Sequence, residues 1–164
     1  MRRSTLIPGL VAAVISVVSL GAQAPANFAG KWTLVPDPAA PAGGGRGGFG
    51  GGLGQEATIA QDATTLTVTR TTQMGEFKSV YNLDGSDSKN TLNFNGQSID
   101  QISKAKWDGG KLSVVTSIDF GGNTAQLTMV LSLDSSGNLV VDSTRPDFQG
   151  GGAPITTKTT YKKN

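Results

Sequence analysis

The run 99–145 leaves the least freedom in how this 164-residue chain can fold. It reads as four strands in series, at 99–107, 111–120, 124–133 and 138–145. Three tight turns join them: Asp108-Gly109-Gly110, Gly121-Gly122-Asn123 and Asp134-Ser135-Ser136-Gly137. Asp-Gly and Gly-Gly tolerate the positive φ angles that fit a hairpin turn to the twist of its strands. No helical spacing of apolar residues interrupts the run, so it is an antiparallel meander.

The same pattern continues on both sides. Over 28–35, Phe28, Gly30, Trp32 and Leu34 fall on one strand face, which turns the aromatics inward. Pro36, Pro38 and Pro41 end that strand. Residues 56–61 and 64–72 read as a hairpin turning at Asp62-Ala63. In its second strand Leu66, Val68 and Arg70 share a face, and Thr65, Thr67, Thr69 and Thr71 share the other. Such a Thr row is the β-branched, solvated side of a sheet. A strand at 76–83 follows Gln73-Met74-Gly75, and the run from Asp84 to Ser88 turns the chain again. A short strand at 91–94 precedes Asn95-Gly96, itself a hairpin signal. The last strand is 155–162.

The reading is therefore all-β: an up-and-down antiparallel meander of about ten strands, closed into a barrel because closure removes exposed edges. A Gly-rich disordered loop follows the first strand, at 36–55. Its core, Gly43-Gly44-Gly45-Arg46-Gly47-Gly48-Phe49-Gly50-Gly51-Gly52, has too little apolar surface to order itself. Arg46-Gly47-Gly48-Phe49 matches a single RNA-binding RGG element, but a flexible loop is the better reading. No Gly-Lys-Ser/Thr follows, so it is no phosphate-binding loop.

The N-terminus has a different character. Arg2 and Arg3 precede an apolar run at 6–20, and Ala22-Gln23-Ala24 follows it. A basic start, a short apolar core and a small-x-small site make a secretory signal peptide, 1–24. Pro8 and Gly9 interrupt the run, and it falls short of the roughly 20 apolar residues of a membrane span. Residues 25–164 are then one exported domain, periplasmic or extracellular, with no stable membrane insertion after cleavage. Loss of Arg2 and Arg3 leaves twelve basic and twelve acidic side chains, so the charge offers no case for nucleic acid.

The chain has no His and no Cys. That excludes Ser-His and Cys-His nucleophile pairs, the usual zinc sites, and haem ligation by His or Cys. Asp before Gly or Ser is turn chemistry, and no calcium-loop spacing is present. Glu56, Glu76 and Asp119 are the only carboxylates outside turns worth naming for glycoside chemistry, and none has a catalytic context. No cofactor is expected, and the chain reads as a non-enzyme.

Strand parity sorts the turns into two ends. The Gly-rich segments 36–55, 73–75, 95–97, 121–123 and 146–153 fall at one end. Asp62, Asp84 with Asp87, Asp108 and Asp134 fall at the other. Barrel mouths are usual ligand entrances, which makes the Gly-rich end the mouth. Arg70 and Arg145 end strands there on inward faces, where each can hold an anionic head group. Trp32 and Trp107 complete the candidate ligand-binding set. Bulky Leu112, Val114, Met129, Leu131, Leu139 and Val141 share the interior with small Ser103, Thr116, Ser143, Thr157 and Thr159.

Phe28-Ala29-Gly30-Lys31-Trp32-Thr33-Leu34-Val35 resembles the Gly-x-Trp opening strand of the calycin superfamily, lipocalins and fatty-acid-binding-protein-like barrels. Ala57-Thr58-Ile59-Ala60-Gln61 with Thr65-Leu66-Thr67-Val68 resembles their first hairpin. Trp107-Asp108-Gly109-Gly110-Lys111-Leu112, Gly137-Asn138-Leu139-Val140-Val141 and the run 157–162 resemble later strands. The chain also resembles exported bacterial proteins with a Gly-rich insert. Two departures stand out. The helix pair of the intracellular members is replaced by the 36–55 loop. Their closing Arg-x-Tyr, which grips a fatty-acid carboxylate, is matched only by Lys158-Thr159-Thr160-Tyr161, with Lys158 and Tyr161 on opposite faces. That grip is therefore not carried over.

The expected function is an exported, monomeric, non-catalytic barrel for a small apolar or anionic amphipathic ligand. The competing reading is a pocketless extracytoplasmic structural or interaction module, acting through its Gly-rich loops or its sheet surface.

Overall fold

A computed structural model describes residues 24–37, 52–72, 75–94, 96–120, 122–147 and 151–164. All but the last residue of the leader expected at 1–24, and most of the loop expected at 36–55, lie outside these residues. Within them the fold is all-β. Ten strands follow in chain order: β1 Gly30–Leu34, β2 Glu56–Gln61, β3 Thr65–Thr72, β4 Gly75–Asn82 and β5 Asp87–Phe94, then β6 Gln97–Asp108, β7 Lys111–Phe120, β8 Asn123–Leu133, β9 Leu139–Arg145 and β10 Ile155–Lys163. Among the described residues no helix is long and apolar enough to cross a membrane.

The strands form one sheet in the order β4-β3-β2-β1-β10-β9-β8-β7-β6-β5, every pair antiparallel. Chain neighbours are sheet neighbours except β4 and β5, and β10 returns to β1. This is the up-and-down meander that the turn spacing implies. The two sheet edges, β4 and β5, meet in a nearly closed barrel. Side chains, rather than a backbone ladder, bridge that seam. Asn90 Oδ1 accepts from the Val80 N–H at 2.8 Å, and its Nδ2 donates to the Val80 C=O at 3.0 Å. Ser88 Oγ accepts from the Asn82 N–H at 2.7 Å, and Asn82 Nδ2 donates to the Asp87 C=O at 3.0 Å.

The seam also explains a correction. β5 starts at Asp87, inside the segment read from sequence as a turn, and is twice the expected length. Ser88 and Asn90 occupy inward positions where an apolar alternation would carry a hydrophobe. Polar residues there erase the period-two signal. β6 likewise begins at Gln97, ahead of the expected 99.

One contiguous cluster forms the core, running from Phe28 and Trp32 through Leu66, Leu112, Val114 and Leu131 to Val141 and Tyr161. Burial of each large apolar side chain stabilises the fold by roughly 1.5–3 kcal/mol. At the Asp-rich end, Phe28 stacks on Trp107 with ring centroids 5.8 Å apart and planes 10° from parallel. The Trp32 indole N–H donates to the Phe28 C=O at 2.8 Å. Phe28 precedes β1, so the segment entering the first strand plugs this end of the barrel.

The Asp turns there are capped by their own carboxylates. Asp62 accepts from the backbone N–H groups of Thr64 and Thr65 and from both hydroxyls, at 2.7–3.0 Å. Asp134 accepts from Ser136 and Asn138, and Asp84 from Ser86. These bonds hold all three carboxyls below their ordinary range. At Asp62 the Thr64 backbone bond leads the effect, and the pKa falls to about 2.

Candidate ligand-binding site

Ladder register arranges the inner face of the barrel into cross-strand rows. Trp107, Leu112, Leu131, Val141 and Thr159 form the first, from β6 to β10. The next holds Ala105, Val114, Met129, Ser143 and Thr157. A third row, closer to the Gly-rich end, holds Ser88, Ser103, Thr116 and Leu127. A fourth holds Asn90, Gln101, Ile118 and Ala125. The wall thus grades from apolar to hydroxyl- and amide-bearing towards the expected mouth. Ser79, Ser88, Ser103 and Ser143 are all buried. A buried hydroxyl is costly without a partner. Ser103 and Thr116 satisfy each other at 2.8 Å, and Ser88 is spent on the seam.

The opposite wall carries the charge. Trp32, Ala57, Arg70 and Phe77 lie on one row across β1 to β4. Arg70 is half-buried, on the face of Leu66 and Val68, as the alternation in β3 requires. Its Nη1 donates to the Gly52 C=O at 3.2 Å. Tyr161, on β10, is fully buried, and its Oη accepts from the Leu53 N–H at 3.0 Å. Burial pushes the Tyr161 phenol up from 10, opposed by the Thr159 hydroxyl, the Leu53 N–H and the nearby Arg70 charge. Arg70 and Tyr161 therefore act on one small region of the interior.

The four residues expected from sequence are placed differently from one another. Trp32 and Arg70 share a row, with Ala57 between them. Trp107 lies at the Asp-rich end, against Phe28. Arg145 is half-buried on the inward face of β9 and pairs in register with Ile155. Its Nη1 donates to the adjacent Pro146 C=O at 3.3 Å. Three strands, β2, β1 and β10, separate it from Arg70 in the sheet.

Sequence reasoning missed Tyr161, the polar neighbour of Arg70. In the sequence Tyr161 stands out only through its Arg-x-Tyr-like spacing with Lys158. Lys158 lies on the opposite face, as that spacing implies, and pairs with Asp142 at 3.5 Å. Period-two counting back from Tyr161 to Thr159 and Thr157 marks it as inward. Its approach to Arg70 depends on how far β10 is staggered against β1, where Leu34 pairs with Tyr161 while Trp32 pairs with Lys163. Leu53 was missed for another reason: a single Leu among glycines carries no periodic signal.

What these groups supply is a guanidinium, a phenol and several hydroxyls set in an apolar wall. Such a set has the chemistry to bond an anion or polar head beside apolar surface. Among the described residues, no group of three or more His, Cys, Asp or Glu side chains is placed to hold a metal. No protein-family model matches the sequence, and a search of curated proteins finds no relative.

Proposed function

We propose that this protein is a non-catalytic carrier or receptor barrel for a small anionic amphipathic ligand, built on a calycin-like plan and acting after export. The observation that carries the reading is the graded inner wall. Its apolar rows at Trp107 and Ala105 pass into the Ser88–Ser103–Thr116 row, and Arg70 stands on the facing side. Desolvating a guanidinium on an inward face is costly, and an anion offsets that cost more fully than the Gly52 carbonyl that Arg70 bonds. In this reading Arg70 and Arg145 hold the head group, and Trp32 with its neighbours lines the apolar part.

The test compares two fluorescent probes, the anion anilinonaphthalene sulfonate and the uncharged dye Nile red. Each charge-assisted bond is worth about 1.5–3 kcal/mol, or roughly tenfold or more in affinity. Arg70→Ala and Arg145→Ala should each lower the preference for the anion by about that factor, leaving Nile red bound. Equal anion preference in wild type and both variants overturns the site. Native mass spectrometry of protein from its own source adds a direct reading of any co-purifying amphiphile.

A further inference from the structure

We propose that the Gly52–Leu53 peptide group is a built-in occupant of the head-group site, which an anionic ligand displaces on binding. The inference rests on the ligand-binding reading and adds a regulatory step to it.

The Gly52 C=O and the Leu53 N–H belong to one peptide group. Arg70 donates to its oxygen and Tyr161 accepts from its nitrogen. Both polar ends of a single amide are thus held by a guanidinium of the head-group site and by the phenol beside it. The Leu53 side chain is buried in the same core cluster as Trp32 and Tyr161. The segment mimics an amphipathic ligand, with its polar part on Arg70 and its apolar part in the interior.

Its attachment suits an exchangeable occupant. Leu53 lies outside the ladder, and side chains rather than strand bonds hold its amide. Backbone pairing resumes only at Gln55, whose C=O accepts from the Leu34 N–H at 2.8 Å. Between them stands Gly54 at φ +82°, a conformation that Gly adopts without strain, so the anchored unit meets the sheet through one turning glycine. A neutral carbonyl is a weaker partner for a guanidinium than a carboxylate or sulfonate. An anion therefore competes for Arg70 on favourable terms, and the occupant lowers its apparent affinity by the fraction of time the site is covered.

Leu53→Ala removes the apolar part of the occupant and leaves Arg70 and Tyr161 intact. It should tighten anilinonaphthalene sulfonate binding by roughly tenfold, because the covered fraction falls. Leu53→Met, close in volume, should bind as wild type does. In the wild type, saturating probe should abolish hydrogen-exchange protection of the Leu53 amide while the β7–β8 amides stay protected. That measurement decides the matter alone if Leu53→Ala does not fold. A Leu53 amide still protected at saturation, or a folded Leu53→Ala variant of unchanged affinity, overturns the inference and leaves the ligand-binding reading standing. Failure of wild type and variant alike to bind either probe overturns both.

Discussion

Asn90 gives Val80 both hydrogen bonds that a neighbouring strand would give it. One side-chain amide accepts from the Val80 N–H and donates to its C=O, at 2.8 and 3.0 Å. An antiparallel pair exchanges the same two bonds through backbone alone. The seam between β4 and β5 is therefore closed by side-chain identity. Asn90→Ala leaves a part-buried N–H and C=O without those partners and should cost about 1–3 kcal/mol. The expected result is a lower urea midpoint with an unchanged slope. An unmoved midpoint would show that water replaces the amide at no cost.

The Phe28–Trp107 stack makes the Asp-rich end the more apolar one, and its removal should be felt as a core truncation. Phe28→Ala should destabilise by about 3–5 kcal/mol, because the cavity forms between Trp107 and the rest of the cluster. Trp32→Phe keeps a ring in the core but removes the indole N–H bonded to the Phe28 C=O and part of the ring volume, and should cost about 1–3 kcal/mol. Chemical denaturation of the two variants checks the ranking. A smaller loss for Phe28→Ala than for Trp32→Phe would contradict the packing described.

Asp62 sets an acid limit. Its carboxyl titrates near 2 in the folded chain, against 3.8 ordinarily, because four bonds from Thr64 and Thr65 favour the charged form. A depressed folded pKa adds stability that is fully present above about pH 4 and is lost as pH falls towards 2. Asp84 and Asp134 act in the same direction. Unfolding midpoints between pH 5 and pH 2 should fall less steeply in Asp62→Ala than in wild type. Parallel profiles would remove Asp62 from the account.

Tyr161 sets a limit at the alkaline side. Burial raises its phenol above 10, so the folded chain keeps the proton after the unfolded chain has lost it. Stability is then complete below pH 10 and declines as pH rises past it. Absorbance titration of tyrosinate should show a late phase that Tyr161→Phe abolishes. The same variant leaves the Leu53 N–H unpaired and should cost about 1–3 kcal/mol at neutral pH. A titration with no late phase in wild type would contradict the buried phenol.

The meander was legible because its signals are local. Asp-Gly and Gly-Gly turns mark the chain reversals, and period-two alternation marks the faces. Arg70 follows Leu66 and Val68 inward by that count alone, and the structure keeps it there. The alternation failed at β5, where Ser88 and Asn90 hold inward positions without being apolar. It also failed at Leu53, which sits in no strand. In both places the residue's role is set by a partner far along the chain or across an unpaired seam.

Sequence alone determined the all-β class, the serial order of the strands, and which residues face in along the strands other than β5. Those follow from turn chemistry and side-chain alternation, which act over a few residues. Only the tertiary structure decided which inward residues meet. The stagger of β1 against β10 and the curl of the sheet put Tyr161 near Arg70, with one peptide group of the chain between them. It also left β4 and β5 to be joined by Asn90. Register and closure are properties of the whole sheet, and no short stretch encodes them.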